Sequence, residues 1–161
     1  MILVTGAKGY IGKEVMRRLT DAIPTDIEDW DIRTPAREVF SREITAVVHL
    51  AALVRVGESV DRPIDYYDTN VSGTLNVIKA FPDAKMVFAS TGAAFDPTSP
   101  YAHSKVIAEK LVKDCCKEYT ILRFYNVGGG NPTNPEGLPM AIKKAEETGK
   151  FTIFGEDYDT K

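Results

Sequence analysis

Cysteine is nearly absent from this sequence of 161 residues, and the two that occur, Cys115 and Cys116, are adjacent. Adjacent cysteines suit neither a disulfide framework nor a structural zinc site, so we expect a reducing, cytoplasmic location. No apolar stretch approaches the roughly 18 residues that cross a bilayer. The N-terminal residues MILVTGAKG also lack the basic region and cleavage site of a signal peptide. We therefore expect no membrane partner.

An excess of charge of one sign is also missing. The 20 Lys and Arg residues are scattered among 23 Asp and Glu residues, and the formal net charge is −3. Because nucleic acids and anionic membranes bind clustered basic residues, we expect a small-molecule partner and no nucleic acid. Histidine is equally scarce: His49 ends an apolar run and His103 lies on a predicted helix surface, each without a second ligand nearby. No metal site is predicted.

The sequence does contain short apolar runs that alternate with stretches of helical periodicity. The predicted strands are MILVT, DAIPTDIED, TAVVHLAA, AKMVFAS, YTILRFY and FTIF. The predicted helices are GYIGKEVMRRL, TPAREVF, RPIDYYDTNVSGTLNVIKAF, SPYAHSKVIAEKLVKDC and LPMAIKKAEETG. Strands that alternate with helices favour an α/β class: a doubly wound parallel sheet, or Rossmann fold, with right-handed crossovers. At this length we expect a single compact domain.

The first strand is followed by three glycines, Gly6, Gly9 and Gly12, in TGAKGYIG. A dinucleotide pyrophosphate binds the amide groups at a helix N-terminus, and the backbone must approach it without intervening side chains. The spacing differs from the G-x-G-x-x-G fingerprint, and a plain strand-to-helix turn is the alternative. We predict that these glycines bind a cofactor.

An acidic residue is expected at the end of the second strand, where it would bind the adenosine ribose. Asp26 lies 20 residues after Gly6, close to the usual interval. A carboxylate there favours NAD over NADP because it would repel a 2′-phosphate. Ordinary solvation of an acidic loop is the alternative. Asp31 and Ile32 follow closely enough to reach the adenine.

The stretch SPYAHSK places Tyr101 four residues before Lys105, just after a proline suited to the first turn of a helix. The two side chains then share one helix face. A free tyrosine has a pKa of about 10, and a neighbouring ammonium together with a cationic nicotinamide would lower it toward a useful base. A solvated helix face is the alternative. Ser90 and Thr91 end the preceding strand and could bind a substrate oxygen.

The sequence resembles the extended short-chain dehydrogenase/reductases of the NAD-dependent epimerase/dehydratase group, and most of all its UDP-glucose 4-epimerases. Six stretches carry the resemblance: TGAKGYIG, HLAALVRVGESVDRPIDYYDTNVSGTLNVIKA, FAST, SPYAHSK, LRFYNVGG and FGEDYDT. It implies NAD as cofactor, a nucleotide-sugar substrate, and transient hydride transfer at a sugar carbon. It also implies a homodimer formed through the helices at 63–80 and 100–117.

The resemblance also implies roles for individual residues. Tyr101 would be the general acid and base, Lys105 would hold the nicotinamide ribose, and Thr91 would bind the substrate oxygen, with Ser90 as the neighbouring candidate. The further residues expected at the cofactor are Tyr10, Ile11, Leu50, Ala51, Ala52, Asn70 and Phe124. Asn126 is expected to contact the substrate's diphosphate. Without the resemblance, a helix-surface asparagine and a turn former are the alternatives for the two asparagines.

The sequence departs from the family pattern in three places. The segment between the second strand and HLAA is short, which predicts a shortened sheet edge and resembles the reductase branch. Position 93 is alanine, and Phe95 and Asp96 stand where tyrosine and glycine are usual. The sequence given ends at Lys161, where the family continues into a substrate domain. We therefore interpret 1–161 as an NAD-binding domain that carries the Tyr/Lys pair. A 4-ketoreductase, a dehydratase and a non-catalytic NAD-binding module remain alternatives.

Overall fold

The computed structural model describes residues 1–36, 43–129 and 138–150. The chain divides into two compact units, Met1–Tyr125 and Asn126–Lys161. In the second unit the structure describes helix α6 (Leu138–Thr148), as the periodicity of LPMAIKKAEETG predicts. Two predicted elements, the helix in TPAREVF from residue 37 onward and the strand FTIF, lie outside the described residues.

The first unit is built on a parallel sheet of five strands. They are β1 (Ile2–Thr5), β2 (Ala22–Thr25), β3 (Ala46–His49), β4 (Lys85–Thr91) and β5 (Tyr119–Phe124), in the order β2-β1-β3-β4-β5. All four strand pairs are parallel, which confirms the predicted Rossmann fold. The chain leaves β1 in one direction to form β2 and later returns on its other side to form β3. Ligands of such sheets bind at this reversal, beyond the carboxyl ends of the strands.

Helices cover the sheet, and their starts follow local sequence signals. They are α1 (Tyr10–Arg18), α2 (Val56–Asp61), α3 (Pro63–Tyr67), α4 (Gly73–Ala80) and α5 (Pro100–Cys115). Proline occupies the first turn of both α3 and α5, where its missing amide costs nothing. At α5, the Ser99 hydroxyl also accepts a hydrogen bond from the Ala102 amide at 3.2 Å.

The predicted long helix over 63–80 has a feature that periodicity did not show. A π-helical turn, Asp68–Ser72, connects α3 to α4 and shifts the residues on either side relative to each other. Such turns recur at functional sites because they reposition side chains by one residue. The short helix α2, which precedes this stretch, was also not predicted.

The core lies between the sheet and the helices α4 and α5. Its central side chains are Leu3, Val47, Val77, Met86, Phe88 and Val112. Trp30 belongs to this core, and its ring packs edge-on against Phe81 at a centroid distance of 6.3 Å. The Trp30 indole donates a hydrogen bond to the Thr34 carbonyl at 3.1 Å.

Candidate functional site

The glycine turn after β1 is shaped by close backbone approaches. Gly6 has φ +70°, a left-handed conformation, and a Cβ there would lie 2.7 Å from the Ala51 amide nitrogen. A Cβ on Gly12 would collide with the Gly6 carbonyl oxygen and lie 2.8 Å from Ala7 Cα. Gly9 occupies the N-cap of α1, so no side chain covers the start of that helix. This exposed helix start fits a pyrophosphate, which binds helix N-termini.

A cleft of about 370 Å³ opens beside this turn, at the reversal of the strand order. Eight of the predicted cofactor residues line it: Gly6, Gly9, Asp26, Asp31, Ile32, Leu50, Ala51 and Ala52. Sequence reasoning missed other residues that line it, among them Arg33, Leu53, Arg62 and Thr69. Arg33 and Leu53 directly follow predicted residues. Nothing in the spacing of Arg62 and Thr69 marks them, because only folding brings their segment to the cleft. Tyr10, Ile11 and Gly12 form the first residues of α1 next to the turn.

Asp26 directly follows β2 and faces the glycine turn. Its Oδ2 accepts a hydrogen bond from the Lys8 amide at 2.8 Å, and its Oδ1 accepts one from the Ile27 amide at 2.9 Å. A carboxylate oxygen has capacity for a further donor, so ribose hydroxyls can still bind there. The position next to the turn is the one expected for a residue that binds the adenosine ribose.

The charged side chains around Asp26 are paired with one another. Lys8 Nζ lies 3.0 Å from Glu28 Oε2, and Arg33 makes a forked contact with the Asp31 carboxylate. The hydrogen bond from Arg33 lowers the pKa of Asp31 below its ordinary value, so Asp31 is ionised at neutral pH. Lys8 and Arg33 are thus each engaged in an ion pair with a carboxylate other than that of Asp26.

The first turns of α5 bury the two residues singled out from SPYAHSK. Tyr101 is 9% exposed and Lys105 is 3% exposed, so the alternative of a solvated face is wrong. The Tyr101 ring packs edge-on against Tyr66 at a centroid distance of 6.3 Å. Lys105 Nζ lies 4.3 Å from the centroid of the Phe88 ring, a cation–π contact.

Burial governs the protonation of this pair. Burial raises the pKa of Tyr101 above its ordinary value, against a smaller opposing effect of a hydrogen bond with Thr91. Burial also lowers the pKa of Lys105 to about 7, although the nearby Glu109 acts against this shift. Desolvation thus disfavours the charged form of both side chains. The lowering of the tyrosine's pKa by the ammonium together with a cationic nicotinamide stays a prediction.

The structure separates the two candidate hydroxyls at the end of β4. Thr91 hydrogen-bonds with Tyr101 and also accepts a hydrogen bond from the Ala93 amide at 3.2 Å. Ser90 contacts the same helix further along, where its hydroxyl donates to Glu109 Oε1 at 2.5 Å. Thr91 is thus the hydroxyl beside the tyrosine, and Ser90 belongs to a different polar cluster.

That cluster centres on Glu109, which the sequence analysis missed. Arg123 binds both Glu109 carboxylate oxygens, at 2.8 and 2.7 Å. Burial alone would raise the pKa of Glu109, but the hydrogen bonds from Arg123 and Ser90 outweigh burial and lower it. The available signal was the spacing, since Tyr101, Lys105 and Glu109 follow one another at intervals of four on one helix face.

Asn70 lies in the π-helical turn and is 1% exposed. Its amide group exchanges hydrogen bonds with the Leu53 backbone, at 2.9 Å to the nitrogen and 3.0 Å to the oxygen. It also donates to Ser104 Oγ at 2.9 Å. Asn70 therefore ties the cleft-lining Leu53 to the helix that carries Tyr101 and Lys105.

The last predicted site residues, Phe124 and Asn126, lie at the end of β5 and just after it. Phe124 ends the strand and is half-buried, while Tyr125 is exposed and stacks on Phe95 with the centroids 6.4 Å apart. Asn126 is exposed and begins the second unit, so its contact with a substrate diphosphate stays a prediction.

Two further properties concern the ranges that the structure describes, 1–36, 43–129 and 138–150. No group of three His, Cys, Asp or Glu side chains there converges as metal ligands would. No helix in those ranges has both the length and the hydrophobicity that crossing a bilayer requires.

Comparison with known proteins agrees with this geometry. The profile of the NAD dependent epimerase/dehydratase family matches residues 2–160. UDP-glucose 4-epimerase from Lactobacillus helveticus is 33% identical, over 99% of this chain and 64% of that relative. This chain thus spans less than two thirds of the curated relative's length.

Solved structures include both epimerases and reductases. UDP-glucose 4-epimerase from Brucella ovis in complex with NAD superimposes with a TM-score of 0.81 at 27% identity, covering 99% of this chain and 65% of that one. The dTDP-4-dehydrorhamnose reductase from Bacillus anthracis in complex with NADP gives 0.79 at 25% identity, covering 91% and 60%. Because the family profile covers nearly every residue, this chain belongs to the NAD dependent epimerase/dehydratase family.

Proposed function

We propose that the cleft beside the glycine turn binds NAD. The start of α1, with Gly9 at its N-cap, receives the pyrophosphate, and Asp26 receives the adenosine ribose hydroxyls. Asp31 and Ile32 border the adenine, and Leu50, Ala51 and Ala52 line the path toward the nicotinamide. The fit rests on a turn that has no room for side chains and on a carboxylate placed next to it.

We further propose that Tyr101, Thr91 and Lys105 carry the chemistry at a sugar carbon. NAD, when bound, supplies reversible hydride transfer. Tyr101 removes and returns the proton of the sugar hydroxyl, while Thr91 holds the same oxygen in place through a hydrogen bond. Lys105 binds the nicotinamide ribose, and its charge offsets the phenolate that forms on Tyr101.

One observation carries this proposal: the buried Tyr101 and Lys105 and the half-buried Thr91 lie together at the carboxyl edge of the sheet. Thr91 hydrogen-bonds with Tyr101, and Lys105 lies one helical turn further along α5. Asn70 connects this group to Leu53 in the wall of the cleft. Burying a lysine costs its hydration, so a helix face that merely contacts solvent would leave the lysine exposed.

The proposed reaction is the inversion of the C4 centre of a nucleotide sugar. The support is the similarity to UDP-glucose 4-epimerases over 99% of the chain. A 4-ketoreductase is the second candidate, supported by the superposition on a reductase at a TM-score of 0.79. Only 20 residues separate β2 from β3, in keeping with the short segment that the sequence shares with the reductase branch. Catalysis of either reaction by this chain is part of the proposal.

The oligomer is a separate proposal. Apolar side chains on α2, α3 and α5 are exposed, among them Val60 at 64%, Ile64 at 80% and Ile107 at 42%. Helix α5 contacts both α2 and α3, and exposed apolar side chains on neighbouring helices are typical of protein interfaces. We infer a homodimer formed through α3, α4 and α5, and a cytoplasmic location.

The decisive experiment separates cofactor binding from turnover. Calorimetric titration measures NAD affinity, and a coupled assay measures interconversion of UDP-glucose and UDP-galactose. Tyr101→Phe should leave the NAD dissociation constant within about twofold and reduce turnover by about 10³-fold or more, since a general base is lost. Tyr119→Phe, at an exposed tyrosine on β5, is the control. Equal turnover by Tyr101→Phe would end the assignment.

The same assays distinguish the alternatives. Turnover that consumes NADH or NADPH stoichiometrically indicates a reductase, whereas recycling of bound cofactor indicates an epimerase. NAD binding without any response to UDP-sugars or dTDP-sugars indicates a non-catalytic binding module.

A further inference from the structure

A buried polar chain that the proposed reaction does not use crosses the first unit. Its centre consists of Thr5, His49 and Thr74, each about 1% exposed. Thr5 Oγ1 lies 2.7 Å from His49 Nδ1, and His49 Nε2 lies 3.1 Å from Thr74 Oγ1. Because solvent does not reach these groups, each depends on the others for its hydrogen bonds.

The donors and acceptors can be assigned from the two ends of the chain. Thr74 donates its hydroxyl proton to the Asn70 carbonyl at 2.6 Å, so its oxygen accepts from His49 Nε2–H. His49 Nδ1 is then the acceptor, and the Thr5 hydroxyl is its donor. Thr5 Oγ1 in turn accepts from the Ala51 amide at 3.4 Å. One neutral tautomer of His49 thus satisfies every group.

The two ends of this chain lie at different parts of the candidate site. One end is Ala51, in the wall of the cleft and in close approach to Gly6. The other end is Asn70, whose side chain binds both Leu53 and Ser104. Ser104 lies between Tyr101 and Lys105 and donates to the Tyr101 carbonyl at 2.7 Å. The cleft-lining segment 50–53 is therefore held at both of its ends.

We propose that Thr5, His49 and Thr74 are positioning residues that keep segment 50–53 in register with the π-helical turn and with the start of α5. Interrupting the chain at Thr74 removes the hydroxyl donor of the Asn70 carbonyl and the acceptor of His49 Nε2. The His49 ring then no longer fixes the Thr5 hydroxyl, which is the acceptor for the Ala51 amide, and the segment can move away from the cleft. The proposal rests on the proposed function for the identity of the ligand, NAD. Its effect on the protein itself can be measured without that ligand.

The test interrupts the chain at Thr74. Thr74→Val removes both of its hydrogen bonds at nearly constant volume, and Thr74→Ser retains the hydroxyl. With Thr74→Val, amide hydrogen exchange at Ala51 and Leu53, relative to the slowest core amides, should rise about tenfold or more. The NAD dissociation constant should rise about tenfold, as expected when a binding wall loses its support. Thr74→Ser should restore both.

Val77→Ala is the matched control, because Val77 is fully buried on the same helix and belongs to the apolar core. It should lower the melting temperature at least as much as Thr74→Val by leaving a cavity. Its NAD affinity, and the exchange of Ala51 and Leu53 relative to the core amides, should stay within about twofold of wild type.

Two results would overturn the proposal: equal loss of NAD affinity in Val77→Ala and Thr74→Val, or unchanged exchange at Ala51 and Leu53 in Thr74→Val. Failure of the wild-type chain to bind NAD would instead contradict the proposed function, and the exchange comparison would still test the positioning chain. If Thr74→Val does not fold, Thr5→Val interrupts the chain at its other end; because Thr5 itself lines the cleft, only the exchange at Ala51 and Leu53 is then compared.

Discussion

The glycine turn and the start of α5 serve one candidate site but are built in opposite ways. The turn is made of backbone from consecutive residues, and its shape follows from the absence of side chains at Gly6 and Gly12. The α5 region is made of side chains, Tyr101 and Lys105, buried against strands and helices far away in sequence. Steric fit determines the shape of the glycine turn, whereas desolvation of ionisable groups determines the properties of the α5 region.

This difference has a consequence for stability. A glycine turn costs the folded chain mainly conformational entropy. A buried lysine whose pKa has fallen to about 7 costs stability directly, because its ammonium has lost hydration. In the proposed reaction, this desolvated lysine lies next to the phenolate that would form on Tyr101. Mutations in the glycine turn should therefore destabilise the protein, whereas removing the charge of Lys105 should stabilise it. Four measurements test this comparison.

The largest loss is expected at the turn. Gly12→Ala places a methyl group against the Gly6 carbonyl oxygen and the Ala7 backbone, neither of which can yield as a flexible side chain does. The free energy of unfolding should fall by about 3 kcal/mol, and NAD binding should be lost. Chemical denaturation and calorimetry measure both. Gly128→Ala, where no heavy atom lies within 4 Å of the added carbon, should change neither.

The opposite sign is expected at Lys105. The pKa of Lys105 is lower in the folded protein than in the unfolded chain, so between about pH 7 and 10.5 the unfolded chain holds the extra proton. Lys105→Met should therefore stabilise the protein at pH 7, by about 1 to 3 kcal/mol, and abolish the proposed turnover. The gain should shrink as the pH rises toward 10.5. A variant less stable than wild type at pH 7 would refute this description of the site.

His49 extends the comparison to acidic pH. Its pKa of about 3 in the folded protein, lowered by burial, lies below the ordinary 6.5. Stability from the neutral ring is complete above pH 6.5 and declines as the pH falls toward 3, because the unfolded chain then binds a proton that the folded one excludes. Between pH 6.5 and about 3, the free energy of unfolding of wild type should fall, relative to that of His49→Gln, by up to about 1.4 kcal/mol per pH unit. If the free energies of unfolding of the two proteins changed in parallel with pH, His49 would protonate freely in the fold.

The smallest effect on the fold is expected on the exposed apolar face. Ile64→Lys should leave the melting temperature nearly unchanged, since Ile64 is 80% exposed. If the proposed homodimer forms there, light scattering should show half the wild-type mass. Ile142→Lys, at another exposed isoleucine, on α6, is the control. A monomeric wild type, or a dimer that survives Ile64→Lys, would contradict this interface.

Much of the architecture could be read from local patterns. Five apolar runs became the five strands, and the proline and serine signals placed the start of α5. The π-helical turn at Asp68–Ser72 could not be read in this way, since the residues on either side of it keep a helical pattern. Its place depends on the contacts of Asn70 and Thr74 with distant parts of the chain.

The sequence by itself determined the order of strands and helices, the glycine turn and the pairing of Tyr101 with Lys105 on one helix face. These properties depend on residues within one or two turns of each other. Only the tertiary structure decided that Thr91 and not Ser90 lies beside Tyr101, that Glu109 binds Arg123, and that burial shifts both pKa values of the pair. Desolvation and hydrogen bonding between distant segments exist only once the chain has folded, so no local pattern contains them.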